Sequence, residues 1–237
     1  MPLRYYYGFD MTYLLVIAGM LLCMLASARV NSVMKKYSKV RNSTGMTGEE
    51  AARRILNNEG LYQVQIECLN ADAGDHYDPR TNTVRLSRPN FQNASVTAVC
   101  VAAHECGHAI QHAKGYAPLS IRSALVPVVN ISSKLGIPLI LLGVALSWNT
   151  VLIQIGIWAF VGSVIFQLVT LPVEFNASSR AIAKIEEYGL MTVGENIGSK
   201  RVLRAAAMTY VAAAASSALQ LLRLILLFGG GNRRRRD

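Results

Sequence analysis

VLIQIGIWAFVGSVIFQLVTLPVEFNASSRA, residues 151–181, begins as an apolar run and ends as a polar, helix-forming one, with the change falling at Glu174. Residues 151–173 carry no charged side chain. At about 1.5 Å per residue they are long enough to cross a hydrocarbon core of about 30 Å. A carboxylate directly after such a run is costly unless it is partnered. The stretch therefore reads as a membrane segment that returns Glu174 to a water-facing domain, where a helical stretch begins at that residue.

Working outward, residues 126–147 form a second apolar block, separated from the first by Trp148, Asn149 and Thr150. The pair reads as a transmembrane hairpin over 124–173. Lys134, near the start of the earlier block, can extend its amine to the cytoplasmic headgroups, and Trp148 suits the opposite interface. A third block, 11–28, is free of charge and is followed by Arg29, Lys35, Lys36, Lys39 and Arg41. Residues 1–29 thus read as an N-terminal transmembrane helix. Only Arg4 and Asp10 precede it, so the pattern is not that of a cleaved secretory signal. The positive-inside rule puts its N-terminus outside and the next segment in the cytoplasm.

The last apolar block, 205–228, is long enough to span, but it is alanine-rich, contains Arg223 and has basic residues at both ends. Crossing would carry the Arg233–Arg236 run outside, against the charge rule. A helix lying in the interface or on the domain would keep the tail of 205–237 inside, and that is the placement the rule favours.

Composition agrees with a mainly α membrane protein. Hydrophobic residues make up 52% of the 237 and charged residues 16%. The net charge of +10 flanks apolar blocks rather than interleaving with aromatics, so it reads as membrane topology and not as a nucleic-acid footprint. The four cysteines show no framework spacing, which points to a reducing compartment.

Two polar regions remain, 30–123 and its continuation 174–204, which reads as helical with a stop near Gly189. Thr47 followed by Glu50 predicts a capped helix over 48–58. NADAGDHYDP, 70–79, is rich in turn formers, and NTVRLS, 82–87, alternates as a short strand. Residues 93–111, with Ser95 near the start, predict the helix that carries the chemistry.

On that helix His104, Glu105, Cys106, Gly107 and His108 fit H-E-x-x-H. Histidines four apart share a helix face and can ligate one zinc ion, one per chain, while Glu105 is placed to serve as general base toward the attacking water. A catalytic zinc needs a third protein ligand. His112 and Glu174 compete for the role. One turn carries His112 about 6 Å further along the axis, which favours Glu174 as ligand and leaves His112 to the surface or to a carboxylate behind the site. Cys106 should turn away from the metal face as a small buried residue, and Gly107 should allow close packing behind the site.

VAAHECGHAIQH together with LPVEFNASSRA resembles the YugP-type neutral zinc metallopeptidases of prokaryotic membranes. DHYDPRTNTVRLS and the closing YVAAAASSALQLLRLILLF share that look, so the resemblance covers most of the chain. It implies a gluzincin-like zinc peptidase domain interleaved with transmembrane helices, acting on protein or peptide substrates. The wider likeness is to HtpX-type membrane gluzincins, whose third ligand comes from an E-x-x-x-D pattern. Glu174 fits its first position, but Ser178 stands where the pattern has aspartate, so any carboxylate that would orient a histidine does not carry over. Asn176 is a candidate for part of that hydrogen bonding. Related enzymes also use a histidine or tyrosine to stabilise the developing oxyanion. His76, Tyr210 and Arg180 are the candidates here, and NTVRLS resembles the edge strand on which such enzymes lay an extended substrate.

The function expected is a zinc-dependent endopeptidase at the cytoplasmic membrane face, cutting unfolded or membrane-proximal segments. The alternative is a zinc-stabilised membrane adaptor without turnover. Glu105 speaks against it, since an adaptor needs ligands but no base beside the metal.

Overall fold

The computed structural model describes residues 10–69 and 74–229. The Arg233–Arg236 run and part of the turn-rich stretch 70–79 lie outside them. The described chain is mainly helical, with a small sheet and four helices long and apolar enough to cross a membrane. It divides into two compact units. One comprises Met1–Ala26, Ile121–Thr170 and Tyr210–Asp237, and the other Ser27–Ser120 and Leu171–Thr209.

The first unit is built from the apolar parts of four helices: α1 (Tyr13–Tyr37), α5 (Ala117–Ala145), α6 (Thr150–Glu187) and α7 (Val193–Phe228). Between them in the chain come α2 (Gly48–Asn58), α3 (Arg88–Gln92) and α4 (Val96–Ala113). Between α5 and α6, Ser147 and Trp148 take positive φ values of 55° and 63°. Asn149 Oδ1 then accepts the Val151 and Leu152 N–H groups at 3.1 and 3.2 Å, capping α6. The hairpin closes tightly because glycines face each other: a Cβ on Gly156 would lie 2.6 Å from the Gly136 carbonyl oxygen. In the same unit α1 and α7 run antiparallel. The Cys23 thiol donates to the Ala212 carbonyl at 3.6 Å, Gly19 faces Ser216, and the Arg223 guanidinium sits 4.3 Å from the Tyr13 ring centre. Phe228 and Trp148 meet with ring centres 6.0 Å apart.

The second unit has an apolar core drawn from α2, the sheet, α4 and the polar ends of α6 and α7, including Ile55, Leu56, Val84, Leu86, Val99, Cys106, Ile110 and Ile185. Thr47 and Glu50 form the capping box of α2: the Glu50 N–H donates to Thr47 Oγ1 at 3.2 Å, and the Thr47 N–H to Glu50 Oε2 at 2.8 Å. Ala51, Ala52, Ile55 and Leu56 recur at helical spacing and turn inward. Ser95 caps α4 by accepting the Ala98 N–H at 3.1 Å. Almost every face of α4 is buried, the environment of a helix at the centre of its unit.

Three features differ from the sequence expectation. The turn-rich stretch contains a strand, β2 (His76–Asp78), and a further strand, β1 (Gln65–Leu69), precedes it. The strand read from NTVRLS, β3 (Thr83–Ser87), is not an edge: the order is β1-β3-β2, with β1 parallel and β2 antiparallel to it. Its own alternation says that it lies in a sheet but not which neighbours it takes. Finally, no new helix begins at Glu174. α6 runs unbroken for 38 residues and accommodates Pro172, because the polar residues beyond Glu174 continue a helix already nucleated in the apolar segment.

Candidate metal centre

α4 and α6 carry the candidate metal-holding residues, and the absence of a side chain lets them approach. A Cβ on Gly107 would stand 2.7 Å from the Ala177 carbonyl oxygen and 3.2 Å from its Cα, so the two backbones approach as only glycine permits. Gly107 therefore lies against the helix that carries Glu174.

His104 and His108, one turn apart, present their rings edge to face with centres 4.8 Å apart. Both aim Nε2 at one carboxylate oxygen: Glu174 Oε2 is 3.2 Å from His104 Nε2 and 3.8 Å from His108 Nε2. The three donor atoms lie within 4.8 Å of one another. Ligands at about 2.0–2.1 Å from a tetrahedral zinc are separated by about 3.3 Å, so the spacing suits one ion. Glu174 is only 2% exposed, and a carboxylate this deep requires a cation or strong donors. Burial would lower the His108 pKa. The hydrogen bond to Glu174 and the nearby charges of Glu105 and Glu174 outweigh it and raise the pKa above the ordinary value. The pocket thus favours positive charge. Its donor set, two imidazoles and a carboxylate, is one that zinc takes in catalytic sites.

Behind the two imidazoles the direct partners are uncharged. Ser178 Oγ lies 3.3 Å from His104 Nδ1, a hydroxyl where the E-x-x-x-D pattern would place a carboxylate. Gln111 Oε1 lies 3.0 Å from His108 Nδ1. The Gln111 amide donates to the Val173 carbonyl at 2.8 Å and to Asn176 Oδ1 at 3.0 Å. Arg180 Nε donates to the same Asn176 oxygen at 2.7 Å. Asn176 and Arg180 thus connect to His108 by way of Gln111. Sequence reasoning passed over Gln111, although a signal existed: a large amide three residues after His108 falls on the same helix face.

Glu105 is buried. At about 100° per residue it stands about 60° around the helix from His108, whereas Cys106 stands about 160° away. The Cys106 thiol reaches the Ala52 carbonyl at 3.7 Å on α2, and burial pushes its pKa far up, so it supplies no thiolate. His112 is not in the ligand group. Its Nδ1 lies 2.9 Å from the Tyr77 hydroxyl, which donates to Asn82 Oδ1 at 2.7 Å. Burial and the Asp78 charge push that phenol up to about 12, so it stays protonated. The pairing ties β2 to the end of α4. His76 is exposed on β2, with Nδ1 2.8 Å from the Gly74 carbonyl oxygen, and is not among the grouped donors. Tyr210 opens the last segment of the other unit.

The family model described as "Putative neutral zinc metallopeptidase" matches residues 12–229. A Bacillus subtilis protein named "Putative membrane protease YugP" is 48% identical over 198 residues, which cover 84% of this chain and 88% of that protein. No solved structure matches the chain.

Proposed function

The chain belongs to the neutral zinc metallopeptidase family, and from that premise we propose that it is a membrane-bound zinc endopeptidase acting on unfolded or membrane-proximal polypeptide. One observation carries the reading: two imidazole nitrogens from one turn of α4 converge on the buried Glu174 oxygen of α6. Zinc held by His104 Nε2, His108 Nε2 and Glu174 Oε2 would keep a fourth position open, lower the pKa of water there toward neutrality and polarise the scissile carbonyl. Glu105 takes the proton from the attacking water and passes it to the leaving amine.

The substrate backbone needs a partner. Among the described residues β3 is paired on both sides, while β1 and β2 each pair with β3 alone. The free edge of His76–Asp78 is therefore the one to which we assign an extended peptide, since β2 is tied to the motif helix through Tyr77 and His112. Main-chain pairing tolerates many sequences, which suits unfolded substrates.

The reading also carries an orientation. The cluster Lys35, Lys36, Lys39 and Arg41 follows the apolar part of α1, which favours the cytoplasm for the catalytic unit. α7 packs antiparallel to α1 from Ala212 to Arg223 and ends beside Trp148 of the hairpin turn. We therefore read α7 as a crossing helix rather than an interfacial one, with its end at Phe228 on the Trp148 side.

The test is zinc content per chain in detergent-purified protein together with peptide hydrolysis, for wild type, Glu105→Gln and Glu174→Ala. The expected result is one zinc in wild type and Glu105→Gln, none in Glu174→Ala, and hydrolysis only in wild type. Zinc without hydrolysis, with Glu105→Gln still complementing a deletion strain, would favour the adaptor. Well-folded wild type without zinc would refute the metal reading.

A further inference from the structure

Gln111 has no exposed surface, and an amide buried so completely must place one acceptor and two donor hydrogens. The orientation of the whole chain of bonds follows from its far end. Arg180 can only donate, so Asn176 turns Oδ1 toward it. That oxygen and the Val173 carbonyl can only accept, so the Gln111 NH₂ faces both. Gln111 Oε1 is then left for His108 Nδ1, which must carry the proton. The lone pair of His108 is thereby held on Nε2, the atom facing Glu174. His104 has no such constraint, because the Ser178 hydroxyl at its Nδ1 can donate or accept.

The same amide bonds α6 on both sides of the proposed ligand. Val173 immediately precedes Glu174, and Asn176 follows two residues later. We propose that Gln111 is the positioning residue of the metal centre, setting the tautomer of His108 and docking the turn that carries Glu174 onto α4. The inference rests on the zinc reading above. It assigns to one uncharged side chain the orienting role that a carboxylate commonly fills behind a metal-bound histidine.

The experiment measures zinc affinity of the detergent-solubilised full-length protein by competition with a chromophoric chelator. The visible spectrum of the cobalt-loaded protein is recorded alongside it. Gln111→Leu fills the same space without hydrogen bonds and is expected to weaken zinc roughly 10–100-fold and to alter the cobalt spectrum. Asn176→Asp keeps the acceptor and should bind zinc near the wild-type level, whereas Asn176→Leu should not. A Gln111→Leu protein that melts earlier yet binds zinc within about twofold of wild type, with an unchanged cobalt spectrum, overturns the inference and leaves a merely structural role. If that variant does not fold, equal affinities for Asn176→Asp and Asn176→Leu overturn it. Wild type that binds no zinc is a separate result, which removes the zinc reading itself.

Discussion

Replacing Gly107 with alanine tests whether the approach of two backbones assembles the site. In an open helix the change would stabilise by about 1 kcal/mol through propensity alone. Here the added Cβ would lie 2.7 Å from the Ala177 carbonyl oxygen and 3.2 Å from its carbonyl carbon and Cα. All three are backbone atoms of a long helix, and none can rotate aside. Restoring ordinary contact near 3.5 Å requires α6 to retreat by at least about half an ångström. Overpacking of this kind costs about 1–3 kcal/mol, so the net expectation is a destabilisation of about 1 kcal/mol. The effect on the metal should exceed that on the fold. Ala177 is three residues beyond Glu174, whose oxygen stands 3.2 and 3.8 Å from the two imidazoles, and a shift of half an ångström removes it from a common coordination sphere. The assay is thermal unfolding in detergent with and without a chelator, beside zinc affinity. Gly194→Ala serves as control, since a Cβ there meets nothing within 4 Å. A Gly107→Ala protein that melts no earlier than wild type and holds zinc as tightly would refute the argument that this close approach sets the site.

Glu59 joins the ends of α4 and α6, accepting from Lys114 at 3.0 Å and from Tyr188 at 2.7 Å while pairing with Lys184. Burial alone would raise its pKa, but the hydrogen bonds from Lys184, Tyr188 and Lys114 pull it down to about 2. Because the folded value is depressed from 4.5, the stabilisation is present above about pH 4.5 and is lost as pH falls toward 2. Its size is on the order of 2 kcal/mol, discounted for the exposed Lys114. Glu59→Gln should lower stability at neutral pH and flatten the acid loss, as measured by unfolding across that range, and an unchanged pH profile would contradict the clasp. Topology is checked by a cysteine added at the C-terminus. In intact cells an impermeant thiol reagent should label it and spare Cys68, and labelling of both only after lysis would mean that α7 does not cross.

The elements legible in the sequence are those whose determinants are local. The α2 cap and its inward face come from residues within one turn of each other, and the apolar blocks of α1, α5, α6 and α7 declare themselves by length. The H-E-x-x-H spacing puts two imidazoles on one face of α4 whatever surrounds it. Glu174 could be singled out because a carboxylate bordering an apolar run needs a partner. β1 and β2 could not be found in the same way, since strands of five and three residues acquire their hydrogen bonds from a partner elsewhere in the chain. The edge reading of β3 failed for the same reason. The departure of Ser178 from the aspartate pattern reads as a loss, since it says nothing about the 3.3 Å that separates the hydroxyl from His104.

Sequence alone determined the apolar segments of a membrane protein and the placement of two histidines and a glutamate on one helix, because periodicity, run length and four-residue spacing act within a single element. Only the tertiary structure decided that Glu174 reaches both histidines and that Gln111 holds their helix to its own. Those contacts span residues 62 to 70 positions apart, and they depend on how closely two helices pack, which a glycine permits but whose partner it does not name.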